Sequence, residues 1–334
     1  MSIAGAAFFW ALAASVSADP KGPPGLDVLG GTNTDSVFRV VASPAPTDWT
    51  FFYGNRKILV YSFAPGKFKP YVKELYTLEG HNILRDAPGD HLHHHGLMYA
   101  ITVNGLNFWE EVPGSGVEKV IASPQPKTTW TGMGQARASR ATFTQVLHWV
   151  SPEDAFLPDT AGTALLIEHR TIELTVVAGQ QEVALVWTSQ FEVGEKTNTV
   201  LLTGTKYDGL GMRFQEELDR LAVHSLAGQT QNLAGRQDVS RAAWASVSFD
   251  APGWAATIAM AGHPSNPGGD PIFFSMLTPF AYLSATQSLD TRPLVYHSGD
   301  KFQLRYLILL EGAAHPSEAL RQRIESWKKE TPAL

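Results

Sequence analysis

Cysteine is absent from all 334 residues. This excludes disulfides, thiolate nucleophiles and cysteine-ligated zinc or iron–sulfur centres, so any metal must be held by histidine and carboxylate. Charge is also sparse, at 17% of residues, with 26 basic side chains against 32 acidic ones and a net charge of −6. There is no basic footprint, and nucleic acid is excluded as a partner. A Gly-x-Ser-x-Gly elbow, a phosphate loop and a nucleotide-binding glycine loop are all missing. Helical periodicity is scarce. No segment after residue 18 reaches the roughly 20 apolar residues of a membrane span, so the mature chain is expected to have none.

The first residues differ from the rest. Ile3 to Val16 is apolar, and Val16-Ser17-Ala18 offers small residues where a signal peptidase reads, before Asp19-Pro20. The pattern predicts a signal peptide over 1–18 and a periplasmic or secreted mature chain. A buried N-terminal helix is the alternative, because no Lys or Arg precedes the run. Without disulfides an exported chain must rely on its core, and 44% hydrophobic residues in a chain of this length suffice for that.

What is abundant is strand pattern. Short runs rich in β-branched and aromatic residues recur between turn residues: 38–42, 50–53, 57–63, 97–103, 106–111, 141–150, 164–177, 182–193, 244–249, 255–260 and 302–310. Many alternate, as in Thr171-Ile172-Glu173-Leu174-Thr175-Val176, the period of a half-buried strand. Asn104-Gly105 and Ala178-Gly179-Gln180 are hairpin signals. Helix is expected only at 215–226 and after Pro316, where Leu320, Ile324 and Trp327 share a face. The pattern predicts an all-β fold, a large antiparallel β-sandwich over 19–334 closed by a C-terminal helix.

The chemistry concentrates in Asp90-His91-Leu92-His93-His94-His95-Gly96, which holds four of the eleven histidines. A two-residue turn at Asn104-Gly105 sets Val103 opposite Leu106, Tyr99 opposite Glu110 and Met98 opposite Glu111. Alternation then gives one face carrying Met98, Trp109 and Glu111, with His94 at its mouth. The other face carries His91, His93, His95 and Glu110. Two readings follow. His91, His93 and His95 on one side of a strand suit a divalent metal, with Glu110 as a fourth ligand. Alternatively His93 or His94 works with Glu110 or Glu111 as an acid–base pair beside Trp109, a platform for a sugar. A polar loop whose histidines satisfy one another is the bland alternative.

Other segments could converge on such a site. His81 and Arg85 lead into the histidine run; Lys206 and Arg213 lie in the glycine-punctuated stretch 205–213; His263 and Asn266 lie in a Pro/Gly-rich loop. Each is a candidate for substrate binding; the alternatives are a solvated or paired surface role for His81 and Arg85, an exposed β-turn of equal weight for 205–213, and a plain turn for the loop of His263 and Asn266.

Together, Tyr71-Val72-Lys73-Glu74-Leu75-Tyr76-Thr77, the histidine run, Val103 to Trp109, Thr205 to Arg213, His263 to Pro267 and the closing stretch 298–312 resemble a bacterial family labelled PmoA-like, or "methane oxygenase PmoA". The resemblance covers about 57–327, and Asp90, His91, His93 and His94 match its motif. The family often has Arg where this chain has His95, which weighs against the metal triad. Methane oxidation itself is excluded, since that machinery spans the membrane. The general plan is similar to galactose-mutarotase-like folds. The resemblance implies an exported carbohydrate-active protein acting on a sugar by epimerase, lyase or hydrolase chemistry. A non-catalytic carbohydrate-binding protein and a histidine-ligated metal oxidoreductase are the alternatives.

Overall fold

The long strands Ala138–Val150, Ala164–Val177, Glu182–Val193 and Lys301–Glu311 bury every second side chain over much of their length. Successive residues of a strand point to opposite faces, so each strand offers one apolar edge to a core. In the computed structural model, which describes residues 37–331 apart from 46, 123, 235 and 236, these strands join shorter ones into antiparallel sheets. The leader expected over 1–18 lies outside the described residues.

One sheet has nine strands in the order Phe38–Ala42, Asp48–Tyr53, Arg56–Ser62, Tyr71–Leu75, Leu97–Ala100, Gly209–Arg213, Tyr282–Thr286, Ile272–Met276 and Gln237–Arg241. A ten-stranded sheet is built on the four long strands, and a four-stranded sheet joins Leu294–His297, Thr199–Thr203, Thr102–Val103 and Leu106–Asn107. The two large sheets face each other through aromatic contacts. Phe51 meets Phe143 at 5.7 Å, and Tyr99 meets Trp149 and Phe191 at about 6 Å. Each such side chain, fully buried, contributes roughly 1.5–3 kcal/mol. The fold is the expected all-β sandwich.

The closing helix, Glu318–Lys328, follows from Ser317, whose Oγ accepts the Leu320 amide at 3.0 Å. It buries Leu320, Ile324 and Trp327 on the outer side of the ten-stranded sheet, against Ala184, Ala259, Leu307 and Leu309.

Three expectations are corrected. Residues 215–226 form a 3-10 turn, Glu216–Leu218, and a strand, Val223–Leu226, because pairing with Trp244–Ala251 outweighs a weak helical period. The stretch 205–213 divides: Lys206 stands in an exposed turn, while Gly209–Arg213 is a buried central strand of the nine-stranded sheet. The hairpin is shorter than expected. Asn104 and Gly105 have φ of 51° and 79°, and Val103 pairs with Leu106. The ladder ends at Thr102 and Asn107, however, because Asn107 Oδ1 accepts the amides of Trp109 (2.7 Å) and Glu110 (3.0 Å) and turns the chain away. Met98 therefore pairs with Gly211 rather than Glu111, and Tyr99 pairs with Leu210 rather than Glu110.

Candidate functional site

The histidine run is a coil. Ala87, with φ of 43°, donates its amide to the His94 carbonyl at 2.9 Å. The His91 amide reaches Pro88 O and the His94 amide reaches His91 O, both also at 2.9 Å. Two tight turns in succession abolish strand alternation and bring His91, His93 and His94 to one side. The loop then re-enters the sheet at Gly96. A Cβ there would lie 2.5 Å from Val72 O and 2.8 Å from Lys73 O, so only glycine fits.

His95 is turned inward, 2% exposed. Its Nδ1 lies 2.6 Å from Asp86, its Nε2 lies 2.9 Å from Glu111, and its ring stacks on Tyr71 at 3.8 Å. Both ring nitrogens are occupied, so His95 cannot complete a metal triad with His91 and His93, and that expectation is withdrawn. Among the described residues no group of three histidine or carboxylate side chains is placed to hold a metal ion.

Lys69 Nζ, fully buried, donates to Glu111 at 2.8 Å and to the Trp109 carbonyl at 3.1 Å. Burial raises the Glu111 carboxyl but is outweighed by His95 and Lys69, and its pKa falls to about 2. Burial lowers His95, yet hydrogen bonds to Asp86 and Glu111 win and raise it above the ordinary value. Glu111, expected in the cleft as an acid or base, instead belongs to this buried scaffold behind it.

In front of the scaffold is a cleft of about 360 Å³. It is lined by the three histidines, Trp109 and Glu110, with further aromatic walls and Gln237. Tyr282, Phe274, Met276 and Gln237 come from three neighbouring strands of the nine-stranded sheet. The register Tyr282–Met276–Gln237 sets them on one face. His94 lies 4.6 Å from His93, 4.7 Å from His91, 5.5 Å from Phe280 and 6.2 Å from Trp109, ring to ring. Desolvation, with His93, His91 and Arg213 nearby, pushes its pKa down to about 3. His93 is lowered by burial, with Glu110 pulling the other way from 3.3 Å. His91 Nδ1 sits 3.0 Å from Asp90 without hydrogen-bond geometry. Gly211 is needed beneath the cleft, since a Cβ would meet the Tyr282 hydroxyl at 1.8 Å.

The other candidates scatter. Arg85 pairs with Glu216 at 2.9 Å, outside the cleft. Arg213 lies behind the wall, its guanidinium 3.5 Å from the Phe280 ring centre and 3.7 Å from Asp219. Lys206 is exposed, 5.8 Å from Phe274, at the cleft margin. His81 stacks on Trp254 at 4.1 Å and takes no part. His263 is satisfied by Ser265 at 2.7 Å and the Glu330 carbonyl at 3.0 Å. Asn266 binds the Arg305 backbone through both side-chain atoms, at 2.9 and 2.8 Å. His263 holds its loop against the closing helix and Asn266 ties the same loop to strand Lys301–Glu311, so His81, His263 and Asn266 are withdrawn as ligand-binding residues. Sequence reasoning missed Phe274 and Tyr282, which carry no local motif and meet through sheet pairing, and Tyr207 and Phe280, which reach the cleft from a turn and a bend beside those strands.

A family model described as "Family of unknown function (DUF6807)" matches residues 49–325, and the chain belongs to that family. The match carries no PmoA label. No curated protein matches the chain. Among solved structures it is similar to the GH36 α-galactosidase AgaB from Geobacillus stearothermophilus, with 9% identity, a TM-score of 0.46, and 83% of this chain covering 41% of that one. It is also similar to the α-galactosidase from Lactobacillus brevis (10%, TM-score 0.39, 85% and 40%) and the heparan sulfate lyase HepC from Pedobacter heparinus (10%, 0.36, 84% and 38%). The chain thus spans about two-fifths of the length of these structures. No described helix is long and apolar enough to cross a membrane.

Proposed function

We propose that this chain uses a galactose-mutarotase-like sandwich to bind a sugar in the cleft and performs acid–base chemistry on it, in the manner of an epimerase, lyase or hydrolase. The observation that carries the reading is an imidazole–carboxylate pair, His93 and Glu110 at 3.3 Å, set beside an aromatic-walled cleft. Aromatic faces take the apolar face of a sugar ring, and a few polar groups at one side fix its orientation. His93 is the proton carrier, with Glu110 as its partner. His94 serves as a neutral hydrogen-bonding imidazole, because a group with a pKa near 3 is a poor base at neutral pH. Glu111 is too firmly paired to transfer protons. Periplasmic or secreted location, from the leader at 1–18, is part of the proposal.

The test uses monomer-to-trimer ladders of neutral hexoses, xylose and uronates, followed by tryptophan fluorescence for binding and by NMR for product. One ladder should bind and quench, with loss in Trp109→Ala. His93→Ala should retain binding and lower turnover by roughly two to four orders of magnitude. Binding with no product from any ladder would leave only a carbohydrate-binding role. No binding by any ladder would overturn the sugar reading.

A further inference from the structure

Gln237 belongs to two hollows at once. It closes the far side of the histidine cleft, and it also lines a second hollow of about 370 Å³ with Leu226, Gln231, Asn232, Leu233 and Asp238. The second hollow forms where the chain crosses between sheets. Strand Val223–Leu226 turns through Ala227 and Gly228, with φ of 46° and 82°, into the short strand Gln229–Thr230. The Gln231 amide then reaches the His224 carbonyl at 2.8 Å, and the chain leaves the ten-stranded sheet. It arrives at Gln237–Arg241, the last strand of the nine-stranded sheet, which pairs among the described residues only with Ile272–Met276.

Asp238 fastens this crossing. Its Oδ2 accepts Gln231 Nε2 at 2.8 Å and Ser240 Oγ at 2.7 Å. Among the described residues Gln231 Oε1 is buried with no partner, an acceptor whose desolvation is uncompensated. The lining therefore differs in kind from the first cleft. Aromatic walls and imidazoles give way to three amide side chains and a carboxylate, groups that donate to and accept from hydroxyls. Gln237 lines both hollows, which sets them next to each other at the edge strand Gln237–Arg241.

We infer that the second hollow is an adjoining sugar subsite and that the substrate class is an oligosaccharide, at least two rings long, rather than a monosaccharide. The inference rests on the sugar reading above. One ring occupies the aromatic cleft; the next lies over Gln237 and hydrogen-bonds to Gln231, Asn232 and Asp238.

The experiment measures Kd for the monomer, dimer and trimer of the ladder that binds, in the full chain and in Asn232→Ala and Gln231→Ala. Asn232 is exposed, so its replacement leaves folding intact. The dimer should bind at least about tenfold more tightly than the monomer. That increment should shrink several-fold in both variants, with monomer affinity unchanged. Equal affinity for monomer and dimer, or an increment that persists in both variants, would overturn the second subsite while leaving the first cleft's sugar reading in place. Loss of monomer affinity in Asn232→Ala would also overturn it, since the residue would then belong to the first cleft. Should no ladder bind, the sugar reading itself falls, a result distinct from any of these.

Discussion

Lys69 and Glu111 meet at 2.8 Å, the ammonium fully buried and the carboxylate 13% exposed, and the pair ties the sandwich to the histidine loop. On one side Arg170, buried between Glu168 and Glu118, donates to the Pro70 carbonyl and so anchors the segment bearing Lys69. Burial raises the Glu118 carboxyl above the ordinary value, and Arg170, 2.8 Å away, pulls it back. On the other side Glu111 holds His95. A rigid core thus positions the coil that carries the histidines, which by itself would have no fixed geometry.

Lys69→Met should be strongly destabilising. It strands the buried Glu111 carboxylate with His95 alone, and breaking a buried pair from one side costs about 3–5 kcal/mol. Urea unfolding is the measurement, and a loss below about 1 kcal/mol would show that the pair does not anchor the loop. Glu111→Gln should cost stability as well, rather than act on turnover alone.

Stability should depend on pH through the same cluster. Glu111 has a folded pKa of about 2 against an ordinary 4.5, so its contribution is present above 4.5 and is lost as pH falls toward 2. That depression corresponds to about 3 kcal/mol. His95 is raised, so its contribution is full below its ordinary value of 6.5 and is lost as pH rises through the folded value. The two overlap between roughly pH 4.5 and 6.5. His95→Gln should flatten the alkaline side of a urea-midpoint profile taken from pH 5 to 9; an unchanged slope there would count against the pairing.

Much of this was legible in sequence. Alternation located the long strands, since tertiary pairing there agrees with local pattern, and the spacing of Leu320, Ile324 and Trp327 located the helix. The histidine run marked the site. Its geometry was not legible, because alternation was extended through residues that turn, and one Asx turn at Asn107 redirected Trp109, Glu110 and Glu111. The result nearly reversed the two faces: His91, His93 and Glu110 joined His94 and Trp109, and His95 and Glu111 went behind. Phe274 and Tyr282 were invisible for another reason. Their partnership is set by a register between strands, which short apolar runs do not encode.

Gly96→Ala tests the loop's re-entry. Two backbone carbonyls stand within 2.8 Å of the added Cβ, and backbone cannot swing aside as a side-chain end does. A destabilisation of about 2–4 kcal/mol is expected, in the range of overpacked cores and forced backbone shifts. The same variant should weaken sugar binding more than the mutation's distance from the cleft suggests, because His94 and His95 move with residue 96. Normal stability with normal binding would mean that the His-Gly step is not the constraint described.

The division of labour between His93 and His94 can be read directly by NMR of the ring protons. His94 is desolvated and surrounded by His93, His91 and Arg213, all of which oppose its charging. It should stay neutral and show no titration between pH 5 and 8. His93 is also depressed by burial, but Glu110 at 3.3 Å partly restores it, so it should titrate below 6.5 and carry the acid limb of any rate profile. Glu110→Gln removes that support and should move the His93 midpoint, and the limb with it, to lower pH. His94→Gln should leave the position of the limb nearly in place, because the charged groups acting most on His93 are Glu110, Lys69, His91 and Glu111. If His94 titrates near neutrality and the limb follows it through the Glu110 substitution unchanged, the proton carrier is His94, and the roles of the two histidines are exchanged.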